Sequence, residues 1–189
     1  MIDDVILFQT ERTRVRLWRA DEADRLFDML RRWEVAQWLG DDPKVMADRA
    51  EAVERIARWH DRFIADPRYG SWAVEGTATG VVAGTVPLVP VPNGDGEVEV
   101  GWHFHPDSWQ RGLATEAASG ALRKGFTDGL DEIYAITHTT NDPSQRVCQR
   151  IGMRDLGIFH DRWYEGASQI FRVTRTEWDA RTLQQFRGR

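Results

Sequence analysis

Gly101-Trp102-His103-Phe104-His105-Pro106-Asp107-Ser108-Trp109-Gln110-Arg111-Gly112-Leu113, running on into Ala114-Thr115-Glu116-Ala117, reads as a strand, a sharp turn and the start of a helix. The turn presents a run of backbone N–H groups at a helix N-terminus, where the dipole also favours negative charge. Such a cradle binds phosphate without needing side chains. The converging amides are those of Gln110, Arg111, Gly112, Leu113, Ala114 and Thr115. Gly112 has no Cβ, so the backbone can come close to an anion. Ala114 keeps the opening turn small, and Arg111 offers a charge-assisted contact. Neither GxxxxGK[ST] nor GxGxxG occurs in the chain, so the loop is not a P-loop or a dinucleotide fingerprint.

Outward from this turn, hydrophobic periodicity divides the chain into strands and helices. On the N-terminal side, residues 13–19 alternate Val15 and Leu17 with Arg14 and Arg16, a half-buried strand. Asp21 opens a helix through Arg32, and residues 33–39 read as a short second helix stopped by Gly40 and Pro43. Residues 47–65 repeat Val53, Ile56, Ala57, Phe63 and Ile64 at helical spacing. Strands follow at 71–75 and 81–89, then the Asn93-Gly94-Asp95-Gly96 turn and a strand at 97–104. Beyond the loop, Ala114 to Phe126 form a helix stopped near Gly129. A strand at 133–137, a helix at 143–150, strands at 158–163 and 169–175 around Glu165-Gly166, and a short helix after Thr176 complete the order. This order predicts a single α/β (mixed α+β) domain over residues 1–189, with one mixed sheet and helices on both faces.

Composition narrows the class. Across 189 residues, hydrophobic residues make up 41% and charged residues 29%, an ordinary balance for a soluble globular chain. A formal net charge of −5 is opposite to the basic footprint of a nucleic-acid binder. The one cysteine, Cys148, excludes an intrachain disulfide and a Cys-rich zinc site. Met1-Ile2-Asp3-Asp4 lacks the basic and apolar regions of a secretory leader. The apolar run 81–91 contains Pro87 and Pro90 and is too short for a bilayer span. A cytoplasmic protein with no membrane and no nucleic-acid partner is the expectation. His103 and His105 share a strand face, yet no HExxH or carboxylate pattern accompanies them, so no metal is expected.

Two blocks add a family resemblance. The first joins Glu99-Val100-Gly101-Trp102, His105-Pro106, Trp109 and Gly112-Leu113-Ala114-Thr115-Glu116-Ala117. The second is Asn141-Asp142-Pro143-Ser144-Gln145-Arg146-Val147, ending at Ile151-Gly152-Met153. With the opening Thr10-Glu11-Arg12-Thr13-Arg14-Val15-Arg16-Leu17, the chain resembles the GNAT acetyltransferases, nearest their branch that acetylates N-terminal amines of ribosomal proteins. The resemblance implies a central, mostly antiparallel sheet of roughly six to seven strands. It also implies a splayed strand pair that holds acetyl-CoA by its pantetheine arm. Backbone groups of Trp102 and Phe104 would bond the arm from one side, and Asn141 and Ser144 from the other. Asn141 or Ser144 also suits a helix cap, and both roles are compatible.

The implied reaction is direct attack of a primary amine on the thioester. The acceptor is a protein N-terminus or a small molecule, and a homodimer is left open. Trp102 N–H stands where a donor for the oxyanion is needed. An α-amine, with pKa about 8, needs modest help from a base, whereas a lysine near 10.4 needs more. Glu99 is the first candidate base and Glu97 the second. Cys148 stands where many relatives carry a tyrosine acid, so Cys148, Ser144 or unaided departure of the thiolate remain as alternatives. The acceptor pocket is expected from residues 33–40, the 47–65 helix and the last hairpin. A non-catalytic acyl-CoA sensor and an antibiotic- or polyamine-modifying enzyme are the competing readings.

Overall fold

A computed structural model describes residues 5–187 of the chain. The Met1–Asp4 start, read above for a leader, lies outside the described residues. The strands are β1 (Ile6–Gln9), β2 (Thr13–Arg16), β3 (Gly70–Gly76), β4 (Val82–Pro90), β5 (Val98–Val100), β6 (His103–Phe104), β7 (Glu132–His138), β8 (Arg154–His160) and β9 (Ala167–Thr174). They form one sheet in the order β1-β2-β3-β4-β5-β7-β9-β8, with β6 on β4. Every pairing is antiparallel except β5 with β7, which meet in parallel at Glu99 and Tyr134.

Strand alternation sends neighbouring residues to opposite faces, and β3 shows the result. Trp72 and Val74 join a core with α4 (Leu113–Thr127) and α5 (Asp142–Arg150), built on Ala117, Ala118, Ala121, Leu122 and Val147. Ala73 instead joins a second core under α1 (Ala23–Leu30) and α3 (Arg49–Ala65), with Trp18, Leu26, Met29 and Ile56. Between these helices lies the single turn α2 (Trp33–Ala36), and α6 (Arg175–Arg187) closes the chain with Trp178 against Phe126. No helix among the described residues is long and apolar enough to cross a membrane.

The fold departs from the sequence expectations at informative places. Arg16, read as the polar side of a half-buried strand, is 1% exposed. Its guanidinium donates to Glu22 at 2.6 Å and to Glu75 at 2.8 Å, so β2, β3 and the turn before α1 are tied through one buried cation. Burial is the largest influence and opposes that charge, but the two carboxylates outweigh it and the Arg16 pKa is raised. The final hairpin begins earlier than its apolar pattern suggests, because Arg154 and Asp155 lie on an exposed edge strand where alternation is weakly enforced. The 97–104 strand is two strands rather than one, broken at Gly101-Trp102. That break and the short edge strand β1 explain a nine-stranded sheet where roughly six to seven were expected.

Candidate active site

The loop between β6 and α4 has the backbone its sequence demands. Gln110 and Gly112 both take left-handed φ values, 60° and 75°. Gly112 is the N-cap of α4 and supplies no side-chain cap. The first amides of an α-helix have no intrahelical acceptor, and here no cap takes them. Gln110, Gly112, Leu113, Ala114 and Thr115 line one wall of a cavity of about 950 Å³. Arg111 does not. Its carbonyl accepts from Arg12 Nη1 at 2.9 Å, and the residue lines a separate hollow of about 340 Å³ behind the loop. The sequence reading expected a phosphate contact from Arg111, and the structure sets this exposed residue beside the hollow behind the loop and not on the cavity wall.

The next wall is the strand break. Gly101 N–H donates to Pro87 O at 3.0 Å and His105 N–H to Ala83 O at 2.9 Å. Peptide groups along a strand alternate in direction, so those of Trp102 and Phe104 turn away from β4 into the gap between β6 and β7. Phe104 O is taken by the Trp109 indole N–H at 2.8 Å. Across the gap, Trp102 Nε1 donates to Ser144 Oγ at 3.2 Å. Asn141 caps α5 by accepting from Ser144 N–H at 3.3 Å. The structure thus brings Trp102, Phe104, Asn141 and Ser144 to the one opening, all on the cavity wall.

The third wall is made of side chains from distant segments. Glu99, on β5, points into the cavity, and the Tyr164 hydroxyl donates to its Oε1 at 2.5 Å. Desolvation raises the Glu99 pKa to about 7, against the opposing effect of the Tyr164 bond. Burial, then the Glu99 charge, raises the Tyr164 pKa, so the phenol stays a neutral donor. Glu97 is not on this wall; it accepts from Asp95 N–H at 2.6 Å and holds the 93–96 turn. Cys148 is corrected as a candidate acid. It is 0% exposed in the α4–α5 core and does not line the cavity, and burial pushes its thiol up to about 12.

Trp38 and Asp41, just beyond α2, face the hairpin tip across the opening. Glu165 N–H donates to Asp41 Oδ1 at 3.0 Å, and the Trp38 ring meets His138 edge-on at 5.7 Å. No residue of α3 lines the cavity, which corrects that part of the expected acceptor pocket. The helix is spent on the second core beneath α1. His103 also lines the wall; desolvation and the nearby Arg55 charge lower its pKa to about 4, leaving a neutral ring. Sequence reasoning missed Tyr164. Its partner lies 65 residues away, and nothing local to Trp163-Tyr164-Glu165 signals that contact.

Comparison with known proteins identifies the fold and the family. YoaA of Bacillus subtilis (strain 168), an uncharacterised N-acetyltransferase, is 24% identical over 166 residues, 86% of this chain and 90% of that protein. The ribosomal-protein-S5-alanine acetyltransferase of Vibrio fischeri superposes with a TM-score of 0.74 at 16% identity, covering 93% of this chain and 99% of its own. The microcin C7 self-immunity acetyltransferase MccE, solved with acetyl-CoA and AMP, superposes with a TM-score of 0.73 at 11% identity, over 87% and 93% of the two chains. Residues 12–154 match the acetyltransferase (GNAT) domain, from the Arg12 turn through the loop, the split strand and α5, and the chain belongs to that family.

Proposed function

We propose that this acetyltransferase moves the acetyl group of acetyl-CoA to a primary amine, and that the acceptor is an α-amine such as a peptide N-terminus. One observation carries the reading: the Glu99 carboxyl, held by the Tyr164 hydroxyl, stands on the cavity wall three residues before the Trp102 amide, and desolvation raises its pKa to about 7. The uncapped start of α4 fits a diphosphate, because its first amides take no cap and Gly112 supplies the left-handed turn that leads into the helix. The gap beside Trp102 and Phe104 fits an amide-bearing arm, with Asn141 and Ser144 opposite. Acetyl-CoA, when bound, supplies the activated thioester.

Glu99 then receives a proton from the incoming ammonium or amine, directly or through one water. A base works best when its pKa lies near the operating pH, and an α-amine of pKa about 8 is within reach of Glu99. Trp102 N–H faces the gap as a donor for the oxyanion. Ser144 Oγ accepts from the Trp102 indole and keeps its own hydroxyl proton available for a departing thiolate. Cys148 has no part in this scheme.

A thiol-release assay over a panel of peptide N-termini and small amines tests the proposal. The expected result is one free thiol per acetylated amine, fastest with α-amines. Acetyl-CoA binding with no turnover on any amine would favour the sensor reading instead. Turnover confined to polyamines or antibiotics would replace the acceptor while keeping the chemistry.

A further inference from the structure

Thr10 and Arg12, in the turn between β1 and β2, reach the cofactor loop from behind. Arg12 N–H donates to Glu116 Oε1 at 2.7 Å and Arg12 Nε to Glu116 Oε2 at 2.8 Å. Thr10 Oγ1 donates to the same carboxylate at 2.5 Å. Arg12 Nη1 holds Arg111 O at 2.9 Å, and a Cβ at Gly112 would lie 3.2 Å from Arg12 Nη2. One guanidinium therefore spans a carboxylate in the first turn of α4, the carbonyl before Gly112 and the space beside Gly112 itself.

We infer that Arg12 and Glu116 form a clamp that positions the cofactor loop, making Arg12 a positioning residue for the diphosphate from the face opposite the cavity. The inference rests on the loop being the diphosphate site. A peptide carbonyl and the following N–H point in opposite directions because the unit is planar. Pulling the Arg111 carbonyl back toward Arg12 therefore turns the Gly112 N–H forward, toward the cavity. The second consequence is electrostatic. A carboxylate one turn into α4 would oppose an anion at the helix start, and the Arg12 charge cancels it. Burial alone would raise the Glu116 pKa, but the bonds from Thr10 and Arg12 hold it low, so the carboxylate is charged and needs that partner. Arg12 is about half exposed, so its removal leaves no cavity in either core.

The test compares two acyl donors, acetyl-CoA and S-acetylpantetheine, which carries the thioester arm but no diphosphate. Steady-state constants are measured for the wild type, Arg12→Ala, Arg12→Lys and Arg12→Ala/Glu116→Gln. Arg12→Ala is expected to raise KM for acetyl-CoA about tenfold with kcat unchanged, the size of a lost charge-assisted hydrogen bond. KM for S-acetylpantetheine should stay within about twofold. Arg12→Lys keeps the charge without the fork and should fall between. The double variant should recover part of the loss, because the uncompensated carboxylate is gone. Equal losses with both donors, or no loss with either, overturn the clamp. A wild type that uses both donors equally overturns the loop as the diphosphate site, and the clamp with it.

Discussion

The two halves of the cavity are built by different means. On the α4 side, Gln110 and the run from Gly112 to Thr115 form one wall, and their geometry follows from one glycine and one helix start. On the side proposed to take the acceptor, Glu99, Tyr164, Trp38 and Asp41 come from β5, the β8–β9 tip and the segment after α2. A backbone site tolerates side-chain change and is written locally. A side-chain site depends on which distant segments the fold brings together, and there the chemistry can be retuned without touching the cofactor half.

Substitutions should separate the halves. The largest effect is expected from Gly112→Val, because a β-branched residue does not hold a φ of 75°. At a ligand concentration 100 times Kd, acetyl-CoA should stabilise the wild type by about 2.7 kcal/mol, and this variant should lose nearly all of that shift. Valine is a sharper probe than aspartate, since a side chain at 112 points toward Arg12 and an aspartate would find a partner there. Glu99→Gln should lower kcat by about 10²- to 10³-fold and leave the acetyl-CoA melting shift intact. If Gly112→Val and Glu99→Gln each impair both binding and kcat, the division into halves fails.

Tyr164→Phe should have an intermediate effect, a few-fold loss of kcat at neutral pH. The sign follows from the hydrogen bond. Tyr164 favours the carboxylate form of Glu99, so its removal raises a pKa already near 7. Activity requires the carboxylate and falls as pH drops through that value. The acid limb should therefore move up by about one pH unit, measured with a weakly basic acceptor whose own ionisation does not limit the rate. Stability should respond in the opposite sense. Glu99 has a folded pKa above its unfolded value, so the folded state is penalised as pH rises through the interval from 4.5 to about 7. Glu99→Gln should thus melt higher than the wild type at pH 8, by roughly 3 °C or more, and gain little at pH 4. The smallest effect is assigned to Cys148→Ala, with kcat within about twofold and a modest loss of stability from the core.

How much of this was legible in the sequence divides along the same line. The loop, the Ala-rich helix and the Asn141 cap were readable because each depends on residues within one or two turns of each other. The mixed sheet with helices on both faces followed from element order. The strand break at Gly101-Trp102 was not readable from periodicity, since His103 and Phe104 continue the alternation while the backbone changes partner from β7 to the gap. Arg16 looked like a surface position because its two partners, Glu22 and Glu75, belong to other elements. Arg12 and Glu116 both stood in the sequence blocks, yet their contact spans 104 residues. Tyr164 shows the same limit most clearly: the phenol on Glu99 stands on a hairpin tip whose position only the assembled sheet defines.

The most direct measurement is a crystal structure of the protein with acetyl-CoA. The account predicts diphosphate oxygens within about 3 Å of the amides between Gln110 and Thr115, the arm in the gap beside Trp102 and Phe104, and the thioester between Trp102 N–H and Glu99. A coenzyme bound elsewhere, with those amides facing solvent or protein side chains, would contradict it.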